Sequence, residues 1–217
     1  MRLVVLGASG GCGQELVRQA SAAGHTVVAV GRERSALTVP DGVEVRRGSL
    51  DDERFLREAF RGADGVLSAL GLKLPSLAPW AGPEDPTVLS RCVPVVLSAM
   101  KAEGVGRIVA ISAGGVGDSL AAMPWVFRAL IRATALRTAY AELEKMEALL
   151  ASSGLDWCCP RPTGLTDGPA TGAVREDPAL NGRATISRSD VAAWMLARVR
   201  GPSAGPRAPV LTVTGAG

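Results

Sequence analysis

The chain is poor in the residues most often used for acid–base and metal chemistry. It has one histidine, His25, one tyrosine, Tyr140, and three lysines, Lys73, Lys101 and Lys145, in 217 residues. Its four cysteines, Cys12, Cys92, Cys158 and Cys159, lack metal-ligand spacing. Cys158 and Cys159 are adjacent, so in a strand they would face opposite sides. All four read as small buried apolar residues in a reducing compartment. The net charge is only +3 and no basic run exists, which excludes nucleic acid as the expected partner. No apolar run reaches membrane-spanning length, and no membrane partner is expected. The sequence opens directly on a strand-like run that leaves no room for a signal peptide, so a cytoplasmic protein is expected. Repeats and low-complexity segments are absent.

What is present is regular. The length suits one well-cored α/β domain and is short for two. Arg2 to Leu6 is a short apolar run. Gly7-Ala8-Ser9-Gly10-Gly11-Cys12-Gly13 follows, then a helical pattern through Leu16, Val17 and Ala20, then a second apolar run from His25 to Val30. Strand, glycine turn, helix and strand in that order form the unit that binds a dinucleotide pyrophosphate. Gly7 permits the tight turn, Gly10 lets the backbone approach the phosphates, and Gly13 lets the helix pack on the sheet. The amides at the positive helix end then face the anion.

Strands and helices go on alternating. Strands are expected at 43–47, 64–70, 107–112, 155–160 and 209–214. Helices are expected at 51–60, 87–103, 137–153 and 188–200, with Pro94 a kink or break in the second of these and Ser187 or Ser189 capping the last. Such alternation implies a parallel sheet with helices on both faces. Three segments break the rhythm, 72–86, 114–136 and 161–185. Each follows the carboxyl end of a strand, the edge where open α/β sheets bind ligands. His25 opens its strand at the opposite edge and reads as a surface residue. No histidine base is then available, so hydrolysis and metal chemistry fall away.

The stretches GASGGCG at 7–13, VGRERS at 30–35, GSLDD at 48–52 and SALG at 68–71 recur as a set in one superfamily. So do RIVAISAGGVGD at 107–118, SGLDWCCPRPTGLTDGPATG at 153–172 and ISRSDVAAWML at 186–196. With them the chain resembles the atypical short-chain dehydrogenases/reductases, in their compact NmrA-like and biliverdin-IXβ/flavin-reductase branch. That resemblance implies a single Rossmann-type domain over 1–217, a doubly wound parallel sheet and a nicotinamide cofactor. It also implies a pocket over the nicotinamide built by the three loops. The cofactor-binding residues it implies are Gly7, Ser9, Gly10, Gly11, Cys12 and Gly13 at the pyrophosphate and Arg32 after strand two. Ser49 and Leu50 cover the adenine. Ala69, Leu70 and Gly71, Ser112 and Ala113, and Pro162 and Thr163 follow strands four, five and six.

At the end of strand two, NAD-selective proteins carry an acid that bonds the ribose 2′-hydroxyl. Here the turn reads Val30-Gly31-Arg32-Glu33-Arg34-Ser35. An arginine fork suits a 2′-phosphate. A charge-assisted bond of roughly 1.5–3 kcal/mol would favour NADP about ten- to a hundredfold. The competing readings are a solvated Arg32 and a ribose-bound Glu33.

Many superfamily members use a Tyr-xxx-Lys pair, four residues and so only about 40° apart on a helix. Here the fourth residue after Tyr140 is Glu144. Lys145 is the fifth, about 140° around. Tyr140 therefore reads as a partly buried flank residue, and Lys145 and Glu147 as structural family features. Ser112, at the end of strand five, is the candidate catalytic residue, where the superfamily keeps a substrate-polarising hydroxyl. Trp80, Trp125 and Phe127 are candidates for stacking surface or for plain core. The first functional reading is hydride transfer from NADPH to a small-molecule acceptor, a flavin, a quinone or a similar conjugated molecule. The second is a non-catalytic NmrA-like sensor of the NADP state. A monomer or small homo-oligomer is expected in either case, with no metal.

Overall fold

The computed structural model describes residues 1–177, 184–203 and 205–213. The chain runs from β1 (Arg2–Leu6) through α1 (Gly11–Ala22) to β2 (Thr26–Gly31) and β3 (Glu44–Arg47). It continues with α2 (Glu53–Phe60), β4 (Gly65–Ser68), α3 (Val88–Ala102) and β5 (Arg107–Ala110). A 3₁₀ turn (Gly117–Ala122), α4 (Trp125–Ala133), α5 (Leu136–Ala151) and β6 (Asp156–Cys158) follow. The last part holds β7 (Arg161–Pro162), β8 (Gly164–Thr166), β9 (Val174–Glu176), β10 (Thr185–Ser187), α6 (Arg188–Arg200) and β11 (Val210–Val213).

The main sheet has the order β3-β2-β1-β4-β5-β6 with every neighbour parallel. β1 is apolar at successive positions because both its faces are covered. Leu3 and Val5 pack with Leu16, Val17, Met195 and Val199 on one side. Val4 and Leu6 pack with Phe60, Leu89, Met100 and Met146 on the other. This is a doubly wound, Rossmann-type α/β sheet in a single domain. Its strand order reverses between β1 and β4, and a crevice opens there at the carboxyl ends.

Several expectations are corrected. Pro94 does not break α3, which runs on to Ala102 because Cys92, Val93, Val96 and Met100 are buried along it. Segment 114–136 is a 3₁₀ turn and a helix rather than a loop, since Phe127 and Ile131 pack with Met123, Leu136 and Tyr140. Segment 161–185 supplies β7, which pairs with β11, and β8, which pairs with β10. Its residues 178–183, and Thr214 at the expected end of the last strand, lie outside the described residues. His25 is half-buried rather than free at the surface. Its Nε2 is buried without a partner, and burial, with the N-terminal amine and Arg200 nearby, lowers its pKa.

Candidate active site

The glycine turn is dictated by backbone contacts. Gly7 has φ +71°, and a Cβ there would lie 2.7 Å from the Ala69 carbonyl oxygen. A Cβ on Gly13 would come within 2.1 Å of the Gly7 oxygen, so α1 rests directly on the turn. Gly10 differs. Its φ is −79°, and a Cβ would meet only the Gly7 oxygen at 3.5 Å. Nothing in the protein itself requires a glycine at position 10. No side chain caps α1 and no acid lies in its first turn, which leaves its positive end open to an anion.

A cavity of about 850 Å³ opens over this turn. Gly10, Gly11, Cys12, Ala69, Leu70 and Gly71 line one end, with Arg188 above them. Ser112, Ala113, Pro162 and Thr163 line the middle. Leu72, Leu77, Met123, Phe127, Leu130, Tyr140 and Leu143 line the other end, which is apolar. Arg188 is the first residue of α6, whose N-cap Ser187 accepts from the Asp190 amide at 2.9 Å. Its guanidinium donates to Asp167 at 2.6 Å, and a Cβ on Gly11 would lie 2.7 Å from its Cδ. Arg188 therefore faces the α1 terminus across the crevice. The carboxylate of Asp190 is fully buried and accepts from the amides of Thr171 and Gly172 and from the hydroxyls of Thr171 and Ser187. It ties the segment beyond β8 to the start of α6. Burial pushes the Cys12 thiol up to about 11, more than the Arg188 charge lowers it, so the thiol stays protonated near neutrality.

Ser112 belongs to a buried ionic network. Its hydroxyl donates to Glu147 Oε1 at 2.5 Å. Arg161 Nε donates to the same oxygen at 3.0 Å and Arg161 Nη2 to Oε2 at 2.5 Å, a bidentate pair. Burial opposes the Arg161 charge, but the bonds from Glu147 and Asp118 prevail and raise its pKa. Asp118, paired from outside, is held below the usual carboxylate range by Arg161. Since a carboxylate only accepts, the Ser112 hydrogen is committed to Glu147 and its lone pairs face the cavity. With its hydrogen on Glu147, the Ser112 hydroxyl presents an acceptor to a ligand in the cavity. Thr163 Oγ1 is buried without a partner, and among the described residues it is the one such side-chain atom that belongs to the cavity lining.

Tyr140 and Lys145 do not meet. Tyr140 donates to the Gly114 carbonyl at 3.0 Å, and burial raises its pKa. Lys145 binds Glu142 at 3.0 Å, and Glu142 also accepts from Ser90 on α3. Arg32 is exposed at the end of β2, with Glu84 at 4.0 Å. Ser49 is exposed and Leu50 half-buried just beyond β3, and neither lines the cavity. No cluster of three His, Cys, Asp or Glu poised for a metal occurs among the described residues.

A family profile described as NAD(P)H-binding matches residues 7–202. The chain belongs to this NAD(P)H-binding family. Among solved structures it is similar to ChuY, an anaerobillin reductase from Escherichia coli O157:H7. The two share 24% identity over 99% of this chain and 98% of that one, with a TM-score of 0.78. It is also similar to the oxidoreductase ylbE from Lactococcus lactis, at 16% identity over 98% and 91% of the two chains, TM-score 0.78. A third is a wide-type short-chain dehydrogenase/reductase from Veillonella parvula in complex with NADP. It is 17% identical over 99% and 95%, with a TM-score of 0.75. These likenesses show the fold.

Within this NAD(P)H-binding frame, the residues expected around the cofactor fall into two groups. Gly10, Gly11, Cys12, Ala69, Leu70, Gly71, Ser112, Ala113, Pro162 and Thr163 come together on the cavity wall. Gly7 and Gly13 lie beneath it as packing glycines, Ser9 is half-buried beside them, and Arg32, Ser49 and Leu50 stand on the neighbouring strand ends. Trp80 and Trp125 are 87% and 73% exposed, so neither is core, whereas Phe127 lines the cavity. Sequence reasoning missed Arg188 and the Arg161–Glu147 pair. Arg188 had a signal, a cation at the start of a helix opposite a glycine turn. The pair had none, because its members belong to different elements.

Proposed function

We propose that this protein is an NADPH-dependent reductase passing hydride to a planar, conjugated, largely apolar acceptor, such as a flavin, a quinone or a linear tetrapyrrole. The observation that carries the reading is the continuity of one cavity from the glycine turn to an apolar chamber. The bound dinucleotide supplies the hydride. The α1 terminus and Arg188 hold its pyrophosphate, and Arg32 holds the 2′-phosphate. The unpaired Thr163 hydroxyl and the outward lone pairs of Ser112 match the two ends of a carboxamide, one acceptor and one donor, and fix the nicotinamide ring. Leu72, Phe127 and Leu130 press the acceptor flat and exclude water, so alignment supplies the catalysis. Water is kept from the face that receives hydride, and the acceptor's proton would come from solvent at its outer edge.

One observation favours the sensor reading as second. Ser112 and Tyr140 spend their hydroxyl hydrogens on Glu147 and Gly114, and Thr163, the remaining cavity hydroxyl, is taken up by the carboxamide in this reading, so no protein proton donor is left for an acceptor. Anaerobic NADPH oxidation against flavins, quinones and linear tetrapyrroles, with binding measured by calorimetry, separates the two. Turnover with at least one acceptor, and NADPH preferred to NADH, is expected. Tight NADPH binding with no turnover on any acceptor overturns the reductase reading and leaves the sensor.

A further inference from the structure

We infer that the apolar mouth of the cavity docks on an anionic lipid surface, from which a membrane-dissolved acceptor enters directly. The inference rests on the proposed function only for the acceptor's apolar character. Apart from Met1, the exposed large hydrophobic residues among the described ones are Leu77, Trp80, Trp125, Val126, Leu130 and Leu165. All lie on the three segments that border the mouth, since Leu77, Leu130 and Leu165 themselves line the cavity. α4 carries apolar residues on its outward side as well as on its packed side. Ile131 is buried and Phe127 half-buried, while Trp125, Val126, Ala129 and Ala133 face outward in one arc.

Charge selects the occupant. No Asp or Glu occurs between 119 and 141, and Arg128, Arg132 and Arg137 have no ion-pair partner among the described residues. On the bordering segments four acids are matched, while Glu144 on α5 is exposed. Glu84 faces Arg32, Asp85 binds Arg91, Asp118 binds Arg161 and Asp167 binds Arg188. The outward field at α4 is therefore positive. A second copy across a two-fold axis would oppose these arginines to one another. Anionic headgroups instead pair with them while Trp125 and Val126 enter the acyl boundary. No described helix is long and apolar enough to cross a membrane, and a helix lying in the interface needs no such run.

Co-sedimentation of the full chain with mixed phosphatidylglycerol–phosphatidylcholine vesicles, and with phosphatidylcholine alone, tests the inference. Pelleting with the anionic vesicles, weakened by salt, is expected, with little on the neutral ones. Trp125→Ser with Val126→Ser, and separately Arg132→Gln with Arg137→Gln, should each weaken partitioning roughly tenfold. Melting temperature and NADPH affinity in solution should stay unchanged in both. Absence of pelleting with anionic vesicles overturns the inference, as does pelleting that neither double variant reduces. A dimer that Trp125→Ser with Val126→Ser dissolves also overturns it and assigns the face to a second copy. NADPH affinity is measured without vesicles, so failure here is distinct from failure of the reductase reading.

Discussion

Arg161→Met tests the buried network beneath Ser112. The guanidinium is 7% exposed and its Glu147 partner 10%, so water screens neither. Removing the cation strands a carboxylate that keeps only the Ser112 hydroxyl as donor. Breaking one side of such a pair costs about 3–5 kcal/mol. In a domain of this size that is a drop of roughly 6–20 °C in melting temperature. The outer partner adds little, because Asp118 is 89% exposed. Replacing both members with methionine removes the stranded charge and should restore most of the loss. Circular-dichroism melts and urea midpoints of the single and double variants measure this directly. The reasoning is refuted if Arg161→Met loses less than about 1 kcal/mol, or if the double variant is no better than the single one.

Other outcomes follow from the same geometry. Gly10→Val should fold normally, since its Cβ meets only one oxygen at 3.5 Å, yet lose nucleotide binding by calorimetry; unchanged affinity would remove the pyrophosphate reading. Arg32→Ala should weaken NADPH roughly tenfold and spare NADH, whereas Arg188→Ala should weaken both alike, because only the pyrophosphate is common to them. Tyr140→Phe should keep at least about a third of kcat, as no acid–base step of 10²–10⁴-fold depends on it; a collapse of kcat with normal NADPH binding would restore tyrosine as an acid. Burial raises the Glu142 pKa, but bonds from Ser90 and Lys145 outweigh it and leave it below the usual 4.5. Its stabilisation is therefore present above 4.5 and lost as pH falls through the depressed value. Glu142→Gln should be less stable than the parent near neutrality and should lose less on acidification; equal losses in acid would contradict the assignment.

The central fold was legible because its signals are local. Alternating apolar runs and the Gly7–Gly13 spacing follow from strand and helix geometry, and they mark β1, α1 and β2 directly. The pocket walls were less legible. α4 was read as irregular because its apolar residues do not fall on a single inward stripe: Phe127 and Ile131 point in, while Trp125 and Val126 point out. Ser112 was placed at the pocket by its strand-end position, but its hydrogen-bond polarity depends on Glu147 one element away. Such pairings are set by how α5 lies against β5 and β7, which no spacing along the chain encodes.

The pairing of β7 with β11 bears on how the site comes into being. Thr163 donates its amide to Leu211, and Arg161 donates its own to Pro209. The wall that carries Thr163 is thus held by a strand that lies far along the chain from the glycine turn at 7–13. During synthesis, the βαβ unit can form early, but the chamber closes only once 207–213 have left the ribosome. A version truncated ahead of Arg207 should show a Rossmann core by circular dichroism and no tight NADPH binding.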